Sequence, residues 1–271
     1  MNRRLHLYWF SGSGNTLRAA DVFAERLCEL KWTVELRSLE RSDPQKIDPT
    51  AALGLAFPTH CFTIPKIVLT FVRSLSHVKG SAAMMLGTHG AFSGGVVGPM
   101  KKELTRKGFH CIAARILSMP DSFFPLCSNT ANQRKTECAL ERAKQYAEDF
   151  AAERCRWSRL PILCDLYAGA VGWLFAARKW SHHYFTTVHV NAERCNRCGV
   201  CVRACPVSAL TDHESNDPPK PNKHCTNCLR CVAVCPTDAM RHMMFQPYRS
   251  EEAAALIPKF VHKSREHNTA E

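Results

Sequence analysis

The chain has 271 residues, 45% of them apolar, and carries 36 Lys and Arg against 24 Asp and Glu, a formal net charge of +12. Such apolar content buries a sizeable core and excludes a largely disordered chain, and the length accommodates one or two domains. The basic balance suits an acidic partner, an anionic cofactor, an anionic surface or simply solvated helix faces; with no recognisable nucleic-acid module beside it, no nucleic-acid partner is expected.

The first half alternates strand-like and helix-like segments. Residues 5–10 are apolar and suit a buried strand. A Gly/Ser/Thr loop follows at 11–16, then helical spacing over 16–30 with Leu17, Ala20, Phe23, Ala24 and Leu27 on one face. Strands are expected at 33–39, 51–57, 82–86 and 111–117, with helices at 64–75 and 99–107, and a long polar helix over 132–156 closes the unit. Strands alternating with helices imply a parallel sheet covered on both faces. Five strands in this length fit a flavodoxin-like doubly wound order.

Residues 160–177 carry one charge, Asp165, and two glycines, Gly169 and Gly172. The stretch is marginal for a membrane span and reads better as an interdomain or interfacial helix. Lys179, Trp180, His182 and Tyr184 follow it and leave attachment to a membrane surface as the weaker alternative. The expected organisation is a flavodoxin-like domain over 1–157, a connecting apolar helix over 158–186, a small Cys-rich domain over 187–246 and a charged tail over 247–271. The tail has one apolar patch, 253–257.

Fifteen cysteines are the loudest feature. The short apolar run after Arg3 and Arg4 lacks the length and cleavage site of a secretory leader, so disulfides are not the expected use. A reducing cytoplasm and metal-bound thiolates account for them better. Cys195, Cys198, Cys201 and Cys205-Pro206 form one run. Cys225, Cys228, Cys231 and Cys235-Pro236 repeat it with an offset of 30 at every cysteine. Three thiolates spaced two residues apart wrap one corner of an iron–sulfur cubane, and the fourth Cys of each run ligates the other cluster. Cys195, Cys198, Cys201 and Cys235 are thus expected to hold one 4Fe–4S cluster, and Cys205, Cys225, Cys228 and Cys231 a second. Zinc, the alternative, takes four ligands, usually as two separated pairs, and has no use for this repeat. The segment 187–245 resembles the bacterial two-cluster ferredoxins, which implies a small βαββαβ unit with internal pseudo-symmetry. Its connection between the halves, 211–224, is longer than theirs.

The loop Ser11-Gly12-Ser13-Gly14-Asn15-Thr16 lies between the first strand and the first helix. Its glycines permit close backbone approach, and successive N–H groups at a helix N-terminus make an anion nest. It contains no Lys, so it suits the phosphate of a bound mononucleotide better than a transferred phosphate. An ordinary helix-capping loop is the plainer reading. The loop resembles the flavodoxin pattern of hydroxyl-x-hydroxyl-Gly-x-Thr. In that family two further loops flank an FMN ring. Here they would be Pro58, Thr59, His60, Cys61 and Phe62, and Gly87, Thr88, His89, Gly90, Ala91 and Phe92. Phe62 or Phe92 would stack on the ring. His60 and His89 would stabilise a reduced, anionic flavin, or be plain loop residues.

Most of residues 1–245 resembles a family that fuses a flavodoxin-like domain to a two-cluster ferredoxin. Met119-Pro120-Asp121-Ser122-Phe123 and Gly94-Gly95 are its weaker marks. The resemblance implies FMN and two 4Fe–4S clusters more than it implies a reaction. Three functions follow: an intramolecular electron relay serving a redox protein partner, acidic if the net charge is used in docking; a flavin-dependent reductase with a small substrate pocket walled by 91–99 and 119–124; and, least favoured, a redox sensor. No catalytic residue is assigned, and no dinucleotide site supports direct NAD(P)H oxidation. Seven cysteines remain outside the runs: Cys28, Cys61, Cys111, Cys127, Cys138, Cys155 and Cys164. Most are expected to pack as small hydrophobes, with Cys61 the one worth testing.

Overall fold

In the computed structural model, which describes residues 3–60, 63–90, 95–122, 127–158, 188–211, 218–242 and 251–266, the first apolar run forms strand β1 (Arg4–Trp9), buried along almost all its length. It joins β2 (Thr33–Ser38), β3 (Ala52–Pro58), β4 (Ala82–His89) and β5 (His110–Ser118) in a sheet of order β2-β1-β3-β4-β5. Every pairing in it is parallel. That is the flavodoxin-like doubly wound order, with its switch point between β1 and β3.

Alternation along the strands explains why both faces are covered. Leu5, Leu7 and Trp9 of β1, Ala52 and Ala56 of β3 and Met84 and Leu86 of β4 point into one core, with helices α1 (Asn15–Glu29) and α4 (Asn129–Ala151). Tyr8, Leu53, Leu55, Phe57, Ala83 and Met85 point into the other, under α2 (Lys66–Ser74) and α3 (Val97–Arg106). A sheet buried on both faces reads as continuous apolar runs, as these strands do. Helix α4 opens on Ser128, whose hydroxyl accepts the Ala131 N–H at 3.3 Å, and is pinned to the sheet by the Tyr146 hydroxyl donating to the Met85 carbonyl at 3.0 Å.

The second unit is built twice over. Antiparallel strands β6 (Val188–Val190) and β7 (Met240–His242) join its ends. Helices α5 (Val200–Ala204) and α6 (Arg230–Val234) lie within the two cysteine runs, each carrying the third cysteine, at the 30-residue offset. The backbone keeps the same offset: left-handed residues occur in pairs at Arg197 and Asn227, Gly199 and Leu229, and Ser208 and Asp238. Of the four strands a βαββαβ unit implies, one pair is the β6–β7 ladder and the other is the single bridge Leu210–Pro221. Pro221 has no N–H to extend a ladder.

Residues 251–266, expected as part of a charged tail, form helix α7 (Glu251–Glu266). Its apolar patch is the reason: Ala253 and Ile257 are fully buried, Ile257 in the α1–α4 core, and Glu252 pairs with Arg18 of α1. Segment 160–177 and its expected connecting helix lie outside the described residues. Among the described residues, no helix is long and apolar enough to cross a membrane.

Candidate cofactor sites and the seam between them

The loop before α1 is knitted to the ends of two other strands. The Ser11 hydroxyl accepts the Gly14 N–H at 3.1 Å, and Thr16 shares a hydrogen bond with Thr88 of β4 at 2.7 Å. Ser13 meets the Ser122 hydroxyl at 2.6 Å, and the Asn15 amide donates to the Pro120 carbonyl at 3.3 Å. Ser11, Asn15 and Thr16 are buried. Yet the backbone N–H groups of Ser13, Asn15, Thr16 and Leu17 meet no acceptor among the described residues. N–H groups at a helix N-terminus that have no protein acceptor are what an anion satisfies, so this loop fits a phosphate.

The neighbouring strand ends lie at the same edge of the sheet. Pro58 closes β3, the Thr59 N–H donates to the Thr88 carbonyl at 2.7 Å, and His60 forms a one-residue bridge with Thr63. Strand β4 runs on to His89, so Gly87, Thr88 and His89 belong to the strand rather than to a loop beyond it. Burial, helped by the charge of Lys135 and opposed by Asp121, lowers the pKa of His89. His89 therefore offers a neutral ring at neutral pH, while Lys135 places its ammonium 2.5 Å from the Gly90 carbonyl. Gly90 has no room for a side chain, since a Cβ would lie 2.2 Å from an Asp121 carboxylate oxygen. Cys61, Phe62, Ala91, Phe92, Gly94 and Phe123 lie outside the described residues.

The two cysteine runs are brought face to face. The Cys201 thiol lies within electrostatic reach of Cys198 and of Cys235 from the other run; Cys228 and Cys231 lie within reach of Cys225 and of Cys205. Cys195 packs in the same apolar cluster as Cys201, Cys205, Cys231 and Cys235. Burial pushes the Cys201 thiol up to about 11 and raises those of Cys225, Cys228 and Cys231. At Cys235 burial also pushes upward, but hydrogen bonds from Met240, Thr237 and Ala239 outweigh it and hold the thiol below its ordinary value. The Ala209 N–H donates to Cys205 Sγ and the Ala239 N–H to Cys235 Sγ, both at 3.2 Å. Soft, half-buried sulfur donors with amides aimed at them are the surroundings iron–sulfur clusters take, and loading them must release protons. Among the described residues, no three Cys, His, Asp or Glu side chains converge on a point that a single metal ion would occupy.

The two sites share a seam that sequence reasoning missed. A Cβ on Gly12 would lie 1.9 Å from the Cys228 carbonyl oxygen, and one on Gly14 would lie 2.0 Å from the Ala253 carbonyl oxygen. The second cysteine run and α7 thus occupy the space that side chains in the loop before α1 would need. Arg230, 1% exposed, locks the contact. Its Nε donates to the Ser11 carbonyl at 2.9 Å, one terminal nitrogen donates to the Ala204 carbonyl at 3.3 Å and pairs with Glu40, and its guanidinium lies 5.7 Å from the Trp9 ring centroid and 5.6 Å from that of Phe10. Ala204 and Val234 complete the α1–α4 core, and Cys228 packs on the opposite one. The available signal was the 30-residue repeat itself, which sets Arg230 opposite Val200: a charge on one copy of a short buried helix needs a partner elsewhere.

Residues 187–236 match the family model for the 4Fe–4S dicluster domain. No curated protein sequence matches the chain. Among solved structures, a flavodoxin of Streptococcus pneumoniae TIGR4 is 18% identical, aligned over 55% of this chain and 99% of its own, with a TM-score of 0.41. The flavodoxin of Megasphaera elsdenii is 19% identical over 52% and 98%, at 0.39. The rubredoxin:oxygen oxidoreductase of Desulfovibrio gigas is 17% identical over 56% and 37%, at 0.37. Likenesses at this level carry no argument, and the fold of the first domain rests on its strand order. With that order on one side and the dicluster match on the other, the chain is a flavodoxin-like α/β domain fused to a 4Fe–4S ferredoxin domain.

Proposed function

We propose that this iron–sulfur protein is an electron relay, passing single electrons between two 4Fe–4S clusters and an FMN held by its first domain. The clusters would supply one-electron chemistry and the flavin one- or two-electron chemistry, while the protein sets distance and potential. Residues 11–17 would bind the flavin phosphate through unpaired N–H groups, and Lys135, rather than the neutral His89, would supply positive charge near the strand ends. Cys195, Cys198, Cys201 and Cys235 would hold one cluster, and Cys205, Cys225, Cys228 and Cys231 the other. The observation that carries the reading is the seam: the Cys228 backbone rests on Gly12, so a cluster ligand and the phosphate loop are in direct contact. The net charge of +12 suits an acidic redox protein as the external partner.

The test is anaerobic purification of the full chain with quantitation of iron, sulfide and flavin. About eight irons and one flavin per chain are expected from two cubanes and one mononucleotide site. Near four irons, or stoichiometric zinc, would refute the cluster assignment, and absence of flavin after reconstitution would remove the relay.

A further inference from the structure

The two cysteine runs are alike in spacing and unlike in surroundings. Cys198 is exposed, whereas Cys228, its counterpart in the repeat, is half-buried and presses its carbonyl on Gly12. Helix α5 begins at Val200, a partly buried apolar residue against the α1–α4 core; α6 begins at Arg230, whose side chain enters the first domain. A repeat that keeps its ligands and its left-handed turns while changing these positions has two ends with different tasks.

On the relay reading, we propose that the cluster of Cys205, Cys225, Cys228 and Cys231 is the inner port through which electrons pass to the flavodoxin-like domain, and that Arg230 is a positioning residue that seats this port and raises its reduction potential above that of its twin.

Reduction adds negative charge to a cluster, so a buried cation beside it favours the reduced state. Arg230 is that cation. It stands two positions after Cys228 and next to Cys231, is 1% exposed, and reaches from this cysteine run to the Ser11 carbonyl of the first domain, with Glu40 offsetting part of its charge. The outer cluster has an arginine too: Arg203 donates to the Cys198 carbonyl at 3.0 Å. That side chain is exposed, and water screens it. Transfer is therefore directed inward. An external low-potential one-electron donor would reduce the outer cluster; loss of that electron to the inner cluster would return the outer one to its resting state and reduce the inner one, which would pass it on to the flavin. Two such passages, with two protons from water, complete the two-electron reduction of the flavin.

The experiment is an anaerobic redox titration of the loaded full-length protein, with each cluster's reduction followed by electron paramagnetic resonance. Two cluster steps are expected. Arg230→Gln lowers the upper step and leaves the lower one in place; Arg230→Lys, which keeps the charge, restores most of the upper step; Arg203→Gln moves neither appreciably. Because Arg230→Gln leaves Glu40 buried and unpaired, the neutral pair Glu40→Gln with Arg230→Gln serves where the single variant fails to fold, with a smaller downward shift expected because the opposing Glu40 charge leaves as well. In rapid mixing with a limiting one-electron reductant, flavin bleaching slows in Arg230→Gln and not in Arg203→Gln. A wild type without flavin overturns the relay and this proposal together. A fully loaded wild type in which Arg230→Gln moves the lower step, or neither, overturns this proposal alone.

Discussion

Gly12→Ala tests the seam most directly. Gly12 is not in the left-handed region, so alanine costs its backbone nothing, and the whole effect comes from the methyl group. That methyl would lie 1.9 Å from the Cys228 carbonyl oxygen and 3.0 Å from its carbon. The oxygen must retreat by about 1 Å before the contact becomes tolerable. Neither side yields freely, because the Arg230 guanidinium ties Ser11 to α6 and the Ser11 hydroxyl ties the loop to Gly14. Overpacking of this kind costs about 1–3 kcal/mol, or a drop in Tm of roughly 2–12 °C for a chain of this size. Gly80→Ala is the control: nothing lies within 4 Å of its Cβ, and its φ of +79° makes the cost purely one of backbone conformation, about 1–2 kcal/mol. The two variants separate in hydrogen exchange. Gly12→Ala should speed exchange in residues 11–16 and 228–234 together, and Gly80→Ala in neither. A Gly12→Ala protein with the Tm and exchange of wild type would refute the packing described here.

Glu40→Ala leaves the buried Arg230 without its carboxylate, and denaturant unfolding should register a loss of about 3–5 kcal/mol. Combining it with Arg230→Met should recover much of that loss, and a double-mutant cycle measures the coupling. Ile257→Ala, at a fully buried position of α7, should cost about 2–5 kcal/mol by the same measurement, whereas a dispensable tail would register nothing. Alkylation of the loaded protein at about pH 8 should label the exposed Cys28, Cys127 and Cys138. It should spare Cys155, whose thiol burial and Asp149 push up to about 11, and Cys111, raised by burial; mass spectrometry of the peptides decides it. His6, His89 and His242 are held below 6.5, chiefly by burial, so the unfolded chain binds more protons than the folded one as pH falls. Their contribution is complete above 6.5 and is lost as pH drops through their lowered values, so Tm should be flat near neutrality and fall below about pH 6.5. A second fall belongs below 4.5, as Glu103 loses its hold on Arg73.

Local periodicity made the first domain legible. Each expected strand matches one of β1–β5 to within a few residues, because β1, β3 and β4 are near-continuous apolar runs, β2 alternates Val34 and Leu36 with polar residues, and helices or loops separate the strands. The cysteine runs were legible because ligand spacing is a local property. The docking was not. Gly12 and Gly14 were read for what a phosphate needs, and their side-chain space is taken by carbonyls more than 200 positions along the chain. Arg230 reads as an ordinary surface arginine until the fold sets it beside Ser11 and Glu40. Residues 251–266 looked like a tail because their apolar patch is short, and such a patch becomes a helix only when α1 offers it a groove.

The departures from internal symmetry gather where the two domains meet. A duplicated ligand run needs only its cysteines and its left-handed turns to hold two similar clusters, and those features repeat. Leu229 shows how firmly: it holds the left-handed conformation that Gly199 takes in the other half, at a cost of about 1–2 kcal/mol for a residue with a Cβ. Burial of its side chain among Val188, Leu210 and Met240 offsets that strain. The turn is thus kept while the side chain is given over to packing, just as the next position gives up Val for Arg to reach Ser11. Two equivalent clusters would have no reason to pass an electron in one direction. On the proposed relay, one buried charge and one buried contact, found on a single copy of the repeat, would make the two clusters inequivalent without disturbing the geometry that would hold either.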